Sequence, residues 1–593
     1  PAHWRLMAAV AVAAGFVLYF ARGSHRTLSS HEVYATVPAR EMLESGDWTV
    51  PHFGGLPRLQ KPPLAYWILA ASASVFGELS EWTARFPATL SALGLASLMG
   101  VWAARWYGRT AGVATALVQI TSVWVLIYGR KAEVDMLLCL LTTSAMFLII
   151  EKPGISENTG FSATFRLRWT AIYTLLGLAW LAKFHYGPVM VLVPSVLFFV
   201  MERRGRSLAE MLNPLGLMIF AACVMIWPAL VLRQLPGAWD IWQRETQGRV
   251  VGELGSQPWW FYLPYLLWLP LPWTFWVWAT AARSAQEGWR GWLGLSRLFR
   301  RPIAGLGEIW SDWRNGRTGG DPRERFLWIW LLVHLAILFL MANKHKHYLN
   351  AALPIFSLWA GRKLADFIEQ LRRRERVFAG WQTVGLIIAF FGSGIATAAF
   401  VSEKWPALNT SATALGLLIA LGGSLTMLLF HLRRGAAGGL VAGATYLGCY
   451  AIAVGGIVPA QDHRLNTARF CQSVRGEVLS RGVPPRSGPA RPGSVDESVI
   501  HVYRMGMDPA VHYLGGPVRR LETDVALSEH LHRTGTLHVI AYATDVPSLS
   551  THGECHILRQ MELSETTRPP KHPPLVLVEL TAPDKPPGPI AER

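Results

Sequence analysis

The chain has 593 residues, 51% of them hydrophobic and only 16% charged, with a mean hydropathy of +0.26. This composition excludes a soluble globular protein, and the chain is long enough for many membrane crossings. The formal net charge of +17 is not read as a nucleic-acid signal, because most Lys and Arg stand in short clusters between apolar runs, as they do in cytoplasmic loops of a bacterial-type inner-membrane protein.

Thirteen apolar runs approach the roughly 17–25 residues a span needs with its flanks: 6–21, 84–103, 110–128, 134–150, 169–182, 186–201, 214–233, 259–281, 325–342, 347–360, 378–401, 412–431 and 437–459. The first follows Arg5 without a clear small-residue cleavage site and reads as a retained helix. Twenty-seven Trp, many near run ends, fit interfacial anchoring.

After the first run comes a polar stretch, 30–67, SHEVYATVPAREMLESGDWTVPHFGGLPRLQKPPLAYW, which carries His31, Glu32, Arg40, Asp47, His52, Arg58 and Lys61. The apolar run 63–78 that follows is ambiguous, and charge decides it. If 63–78 lies in the interface, the basic loops at Arg105/Arg109, Arg166/Arg168, Arg203 to Arg206, Arg283 to Arg323, Arg362 to Arg376 and Arg433/Arg434 all fall on the N-terminal side of the membrane. If it spans, all of them land outside, against the positive-inside bias. The run is therefore read as a juxtamembrane helix on the outer surface. Both the loop 22–62 and the C-terminal tail are then extracytoplasmic.

The domain reading is a transmembrane part, 1–459, followed by a soluble part, 460–593. In the latter, IHVYRM (500–505) and LHVIAYA (537–543) read as strands and 525–533 as a helix, which suggests a small α/β domain. Residues 483–493 read as a loop, and the Pro-rich end from about 564 reads as disordered. Cys139, Cys223 and Cys449 lie in apolar runs and read as packed thiols. Cys471 and Cys555 are left open as either a pair or two free thiols.

On this topology five separated polar segments meet one face: the loop 22–62, GRKAEVD (129–135), Lys183 with His185 and Tyr186, the segment 244–258 with Glu245 and Arg249, and NKHKHYLN (343–350) with Lys344, His345, Lys346, His347 and Tyr348. Charged groups at span ends are costly unless they line a wet cavity. A single Lys or Arg there can snorkel to headgroups. Four cationic or titratable groups in NKHKHYLN, on the side the bias disfavours, call for an anionic partner.

The stretch 31–70 resembles the first extracytoplasmic loop of the membrane glycosyltransferases that include the protein O-mannosyltransferases and the lipid A aminoarabinose transferases. The similarity continues in order through ARFPATLSAL (84–93), GRKAEVDML (129–137), LAKFHYGPV (181–189), PWWFYLPYLL (258–267) and KHYLNAALP (346–354). The resemblance implies a GT-C fold, a polytopic α-helical membrane protein with a soluble extracytoplasmic domain. It also implies transfer of one sugar from a polyprenyl-phosphate donor, such as undecaprenyl phosphate, to a lipid, protein or glycan acceptor. Such a site needs a carboxylate for the acceptor, cations for the lipid phosphate and a groove for the isoprenoid.

The residue aligned with the family's first-loop acid is His31, with Glu32 beside it, which is a departure. Either Glu32 takes the role of base, His31 acts as a neutral base, another carboxylate does, or Glu32 only caps the following helix. Asp135 matches the second acidic position, against a plain salt bridge to Arg130 or Lys131. Lys61 is the leading phosphate ligand, with Arg58, Arg249, Lys346 and Tyr348 completing the cradle, and Lys183, Glu245, Lys344, His345 and His347 as further cavity residues. Tyr34 and Gln60 replace an arginine and an acid of the aminoarabinose transferases, so the same donor does not follow. No cofactor is assigned; a divalent metal on His31, Glu32 and His345 or His347 has no supporting ligand spacing. A monomer among membrane lipids, with no nucleic-acid partner, is expected. A flippase or transporter of lipid-linked sugars would need midplane charges or repeated halves, neither of which is evident.

Overall fold

The structure, a computed structural model, describes residues 27–151, 163–251, 256–289, 320–457, 464–480, 500–505, 510–515, 518–562 and 573–583. The first apolar run and the loop 483–493 lie outside these residues.

In chain order, α1 (Ser30–Ser45) and a two-residue hairpin of β1 (His52–Phe53) and β2 (Leu56–Pro57) precede α2 (Leu64–Phe76) and α3 (Glu81–Tyr107). Then come α4 (Arg109–Thr121), α5 (Asp135–Ile150), α6 (Ala163–Lys183), α7 (Tyr186–Met201), α8 (Pro214–Gln234), α9 (Ala238–Val251), α10 (Thr274–Gly288), α11 (Pro322–Leu340) and α12 (Pro354–Arg372). Three helices follow, α13 (Gly380–Lys404), α14 (Asn409–His431, with a π turn over Leu418–Gly422) and α15 (Gly435–Ile457). The rest comprises α16 (Arg464–Ser480), β3 (Ile500–Tyr503), α17 (Ala510–Leu514), β4 (Val518–Leu521), α18 (Asp524–Thr534), β5 (Thr536–Tyr542), β6 (Glu554–Gln560) and β7 (Leu575–Thr581).

Among the described helices, α3, α8, α13, α14 and α15 are long and apolar enough to cross a membrane. The chain is a multi-pass helical membrane protein. At 1.5 Å per residue the 13 residues of α2 reach only about 20 Å, short of a hydrocarbon core about 30 Å thick. Three of the expected spans are broken; in one, 347–360, a 3₁₀ turn over Lys346–Ala351 precedes α12. The run 110–128 leaves helical geometry at Ser122 (ψ 138°), and the backbone N–H groups of Val123 and Trp124 donate to Leu271 and Leu269. The run 259–281 is interrupted by Pro264, Pro270 and Pro272 and splits into a 3₁₀ turn (Trp259–Tyr262), a short helix (Leu263–Trp268) and α10, since proline removes a donor and restricts the residue before it.

The chain divides into two compact units. Among the described residues, the first takes in 59–68 and those within 85–368. At one end of its helices Glu324, fully buried, accepts hydrogen bonds from Tyr107 (2.6 Å), Ser284 (2.5 Å) and Arg362 (3.2 Å), while Arg362 also donates to Glu287 at 2.7 Å. One carboxylate thereby ties α3, α10, α11 and α12 together, and a buried charge tolerates that position only because each lone pair finds a donor.

The second unit takes in residues 22–58, 69–84 and 369–593. Its sheet has the order β4-β3-β5-β7-β6, with β4, β3 and β5 parallel and β7 antiparallel to both β5 and β6. The disorder expected from about 564 does not extend to LVLVELT, which forms β7; its aliphatic side chains lie buried between β5 and β6, a burial that outweighs the prolines flanking it. The same unit's core joins the first loop to the sheet: Leu28, Val33, Val37 and Phe53 pack with Phe470, Val474, Val511, Leu514 and Leu577. Full burial of such a side chain is worth about 1.5–3 kcal/mol. All five cysteines, Cys471 and Cys555 included, are free thiols.

Candidate functional site

In the first unit a polar cluster gathers around Asp135. This residue opens α5, Lys183 closes α6, and the two helices lie side by side, so the start of one meets the end of the other. A carboxylate at a helix N-terminus and an ammonium at a C-terminus are each favoured by the helix dipole. The Lys183 Nζ donates to Asp135 Oδ1 at 2.6 Å, with both side chains largely buried. A two-residue link, Phe184–His185, turns the chain into α7, and Phe184 adopts a left-handed φ of 49° there. A non-glycine residue in that conformation costs about 1–2 kcal/mol.

Tyr186 and Tyr348 complete the wall. Lys183 Nζ lies 4.8 Å from the Tyr348 ring centroid and 5.5 Å from that of Tyr186, within cation–π range. The Tyr186 hydroxyl donates to the Tyr348 carbonyl at 2.5 Å. Residues 346–351 form a 3₁₀ turn before α12, and the rings of His345 and His347 stack 5.2 Å apart with Tyr348 edge-on to both. Lys183, His347 and Lys61 all bear electrostatically on Asp135. Two lysines and a histidine thus face one carboxylate.

Other expected residues of this unit are placed as follows. Of the two nearby cations considered from the sequence, Lys131 pairs with Glu133 at 3.3 Å, while Asp135 pairs with Lys183. Lys344 is buried and donates to the carbonyls of Met341 (2.5 Å) and Gln257 (3.3 Å). Lys346 is exposed, and the Gln60 side-chain oxygen is buried with no protein partner. The Asn350 amide is likewise buried and unpartnered, as groups that a ligand or water completes tend to be. Glu245 and Arg249 lie on α9, with side chains outside the described residues.

In the second unit, α1 carries His31, Glu32 and Tyr34. Glu32 is 3% exposed and accepts from the backbone N–H (2.8 Å) and hydroxyl (2.9 Å) of Ser29, the capping arrangement anticipated as its plainer role. His31 sets its ring 5.6 Å from that of Tyr34. Pro38 stands inside α1 and has no N–H to give the Tyr34 carbonyl four residues back. Arg58 Nε supplies the missing donor at 3.0 Å, and its guanidinium lies 4.7 Å over the Tyr34 ring. The β1–β2 turn is Gly54–Gly55, with φ of 61° and 76°, the positive pair that tight hairpins use. Glu41 accepts both turn N–H groups, at 2.6 and 3.3 Å; burial pushes its carboxyl above the usual range, opposed by Arg40 and these two bonds. His512, reached by Thr36 at 3.2 Å, is pushed down to about 3 by burial and by the Arg40 charge, with Glu32 opposing.

Sequence reading missed Lys183 as the partner of Asp135, and it missed His512, Tyr513 and Arg520 altogether. The Gly-Gly pair between two short apolar segments was the one available signal for the hairpin. Among the described residues no group of three or more His, Cys, Asp or Glu side chains gathers as a metal site would.

Residues 60–228 match the family model described as dolichyl-phosphate-mannose-protein mannosyltransferase. The chain is 28% identical over 354 residues to an undecaprenyl phosphate-alpha-4-amino-4-deoxy-L-arabinose arabinosyl transferase of Aeromonas hydrophila, covering 58% of this chain and 57% of the relative. It is 31% identical over 270 residues to the enzyme of the same description from Edwardsiella ictaluri, covering 44% and 46%. The chain thus spans about half the length of these curated relatives. In fold it is similar to ArnT from Cupriavidus metallidurans, solved in the apo state and bound to undecaprenyl phosphate. Their TM-scores are 0.70 and 0.69 at 18% identity, over 96% of this chain and 97% of that one.

Proposed function

We propose that the chain is a GT-C enzyme akin to the aminoarabinose and protein O-mannosyl transferases it is similar to, and that it moves a single sugar from a polyprenyl-phosphate donor to a lipid, protein or glycan acceptor. The observation that carries this reading is the Asp135–Lys183 ion pair with Lys61, His347 and the two tyrosines beside it. The bond that breaks joins the anomeric carbon to the phosphate oxygen, and the electron pair leaves with the polyprenyl phosphate. Lys61 and Lys183 offset the charge developing on that phosphate. The bond that forms joins the anomeric carbon to the acceptor oxygen, whose proton passes to a base. Asp135 fixes the Lys183 ammonium in place; Glu32 or His31 serves the acceptor, and Arg58, Lys346 and Tyr348 support donor recognition.

The same reading places the chain in a bacterial inner membrane as a monomer with thirteen spans, the N-terminus cytoplasmic, α2 lying on the outer surface and residues 460–593 outside. The positive-inside bias supports this orientation, and the length of α2 agrees with it. In that setting nucleotide sugars are out of reach, which favours a lipid-linked donor.

The test is transfer of label from a polyprenyl-phosphate sugar to an acceptor by purified protein, followed by a Glu32→Gln variant that still folds. Loss of transfer in Glu32→Gln supports the acceptor role, and an unchanged rate moves that role to His31. Absence of transfer by the unmodified protein with every lipid-linked donor, together with movement of the donor across vesicles, favours transport instead.

A further inference from the structure

We infer that Tyr513, His512 and Arg520 are positioning residues for the first-loop helix, so that the sheet-bearing part of the second unit is a structural component of the loop that presents His31 and Glu32. This rests on the reading of those two residues as acceptor groups.

Three sets of contacts lead to it. The first is a single hydroxyl. Tyr513 Oη accepts the Leu28 backbone N–H at 2.7 Å and donates to Glu81 Oε1 at 3.1 Å. A phenol has one proton and free lone pairs, so both bonds form together. Tyr513 thereby joins a residue two positions before α1 to the residue that opens α3.

The second set fixes the middle of α1. Arg40 donates to the carbonyls of His512 (2.8 Å) and Val511 (3.1 Å), and Thr36 Oγ1 meets His512 Nδ1 at 3.2 Å. Those carbonyls lie in the last turn of the five-residue helix α17, where helical donors run out; that of His512 also accepts the Gly515 N–H at 3.3 Å. The guanidinium fork satisfies two of them at once, and in return α17 holds α1 at a fixed rotation.

The third set fixes the hairpin. β4 is an edge strand, and its Arg520 N–H donates to the Gly54 carbonyl at 3.2 Å while the Arg520 guanidinium donates to the Phe53 carbonyl at 3.3 Å. A Cβ at Gly54 would stand 2.6 Å from the Arg520 Cγ and Cδ, so the approach is close enough to require glycine. Beneath these polar contacts Leu28, Val33, Val37 and Phe53 are fully buried in the core they share with the sheet.

The physical need is clear from α1 itself. It has 16 residues with a proline inside, little above the roughly 12–15 residues below which an isolated helix is marginal in water, and the proline removes one of its hydrogen bonds. Its conformation therefore comes from what it packs on.

Hydrogen exchange on the full-length protein in lipid nanodiscs tests this, with transfer measured on the same samples. Tyr513→Phe keeps the ring and removes only the hydroxyl; Arg40→Gln removes the fork from the other side. Both are expected to lower protection of peptides covering 28–45 at least tenfold, to leave strands 536–542 and 575–581 protected, and to reduce kcat more than they raise KM. Glu32→Gln is the control, losing transfer while 28–45 stays protected. Unchanged protection of 28–45 in both positioning variants overturns the inference, and so does lowered protection with an unchanged rate. If the unmodified protein transfers no sugar, the functional reading fails, and the exchange measurement still decides whether the sheet holds the loop.

Discussion

Lys183 and Asp135 illustrate how a buried charge pair commits both partners. Their side chains are 13% and 5% exposed, at a 2.6 Å separation. Removing one leaves the other charged and enclosed, at a cost of about 3–5 kcal/mol, whereas removing both costs much less. Asp135→Asn and Lys183→Met are each expected to lower thermal stability in detergent clearly, with the double variant more stable than the sum of the two losses predicts. Additive losses would show that the pair is not coupled. His512 gives a second test at this scale. Its proton affinity falls from 6.5 to about 3 on folding, through burial and the Arg40 charge, against the pull of Glu32. The unfolded chain therefore binds a proton that the folded one refuses. The His512 contribution is intact above pH 6.5 and falls by up to about 1.4 kcal/mol per pH unit as pH drops toward 3. Glu41, whose affinity is raised, acts in the opposite direction. Comparison with His512→Gln isolates the histidine: exchange protection of α1 should fall more steeply between pH 6.5 and 4 in the unmodified protein than in the variant.

At the scale of elements, α1 depends on residues that its own periodicity does not reveal. Arg58 donates to the carbonyl that Pro38 leaves without a partner. Arg58→Met should destabilise the loop by about 1–3 kcal/mol, and Pro38→Ala in the same background should recover part of this by restoring the helical N–H. No recovery would mean that the guanidinium acts through its other contacts. The hairpin offers a paired comparison. Gly54 and Gly55 both have positive φ, but only at Gly54 would a Cβ meet Arg520. Alanine at 55 should cost about 1 kcal/mol and alanine at 54 clearly more, read by thermal unfolding.

For the whole molecule, the sequence carried the broad class because bilayer thickness constrains run length and composition, and because the motif order from the first loop to residue 354 is specific. Polar residues at the ends of apolar runs pointed to Asp135, Lys183 and His347, since charge is costly there unless it serves a purpose. The partner of Asp135 was illegible: the candidates considered were neighbours in sequence, whereas packing of α5 on α6 supplied one 48 positions away. The breaks at Ser122 and among the prolines of 259–273 were hidden by continuous hydropathy, which is blind to backbone direction. The docking of α1 on α17 escaped for the same reason that tertiary contacts generally do, as nothing in HEVYATVPAREM names Tyr513 or His512. Strand β7 was obscured by the prolines on either side of it.

The central claim is that Lys61 and Lys183 hold the phosphate of a lipid-linked sugar beside Asp135. Its most direct test is the single-turnover rate of sugar transfer from a polyprenyl-phosphate donor by folded Lys61→Ala protein. Loss of one preorganised cation on a leaving phosphate predicts a fall of roughly 10²–10³. A rate equal to that of the unmodified protein would contradict the claim.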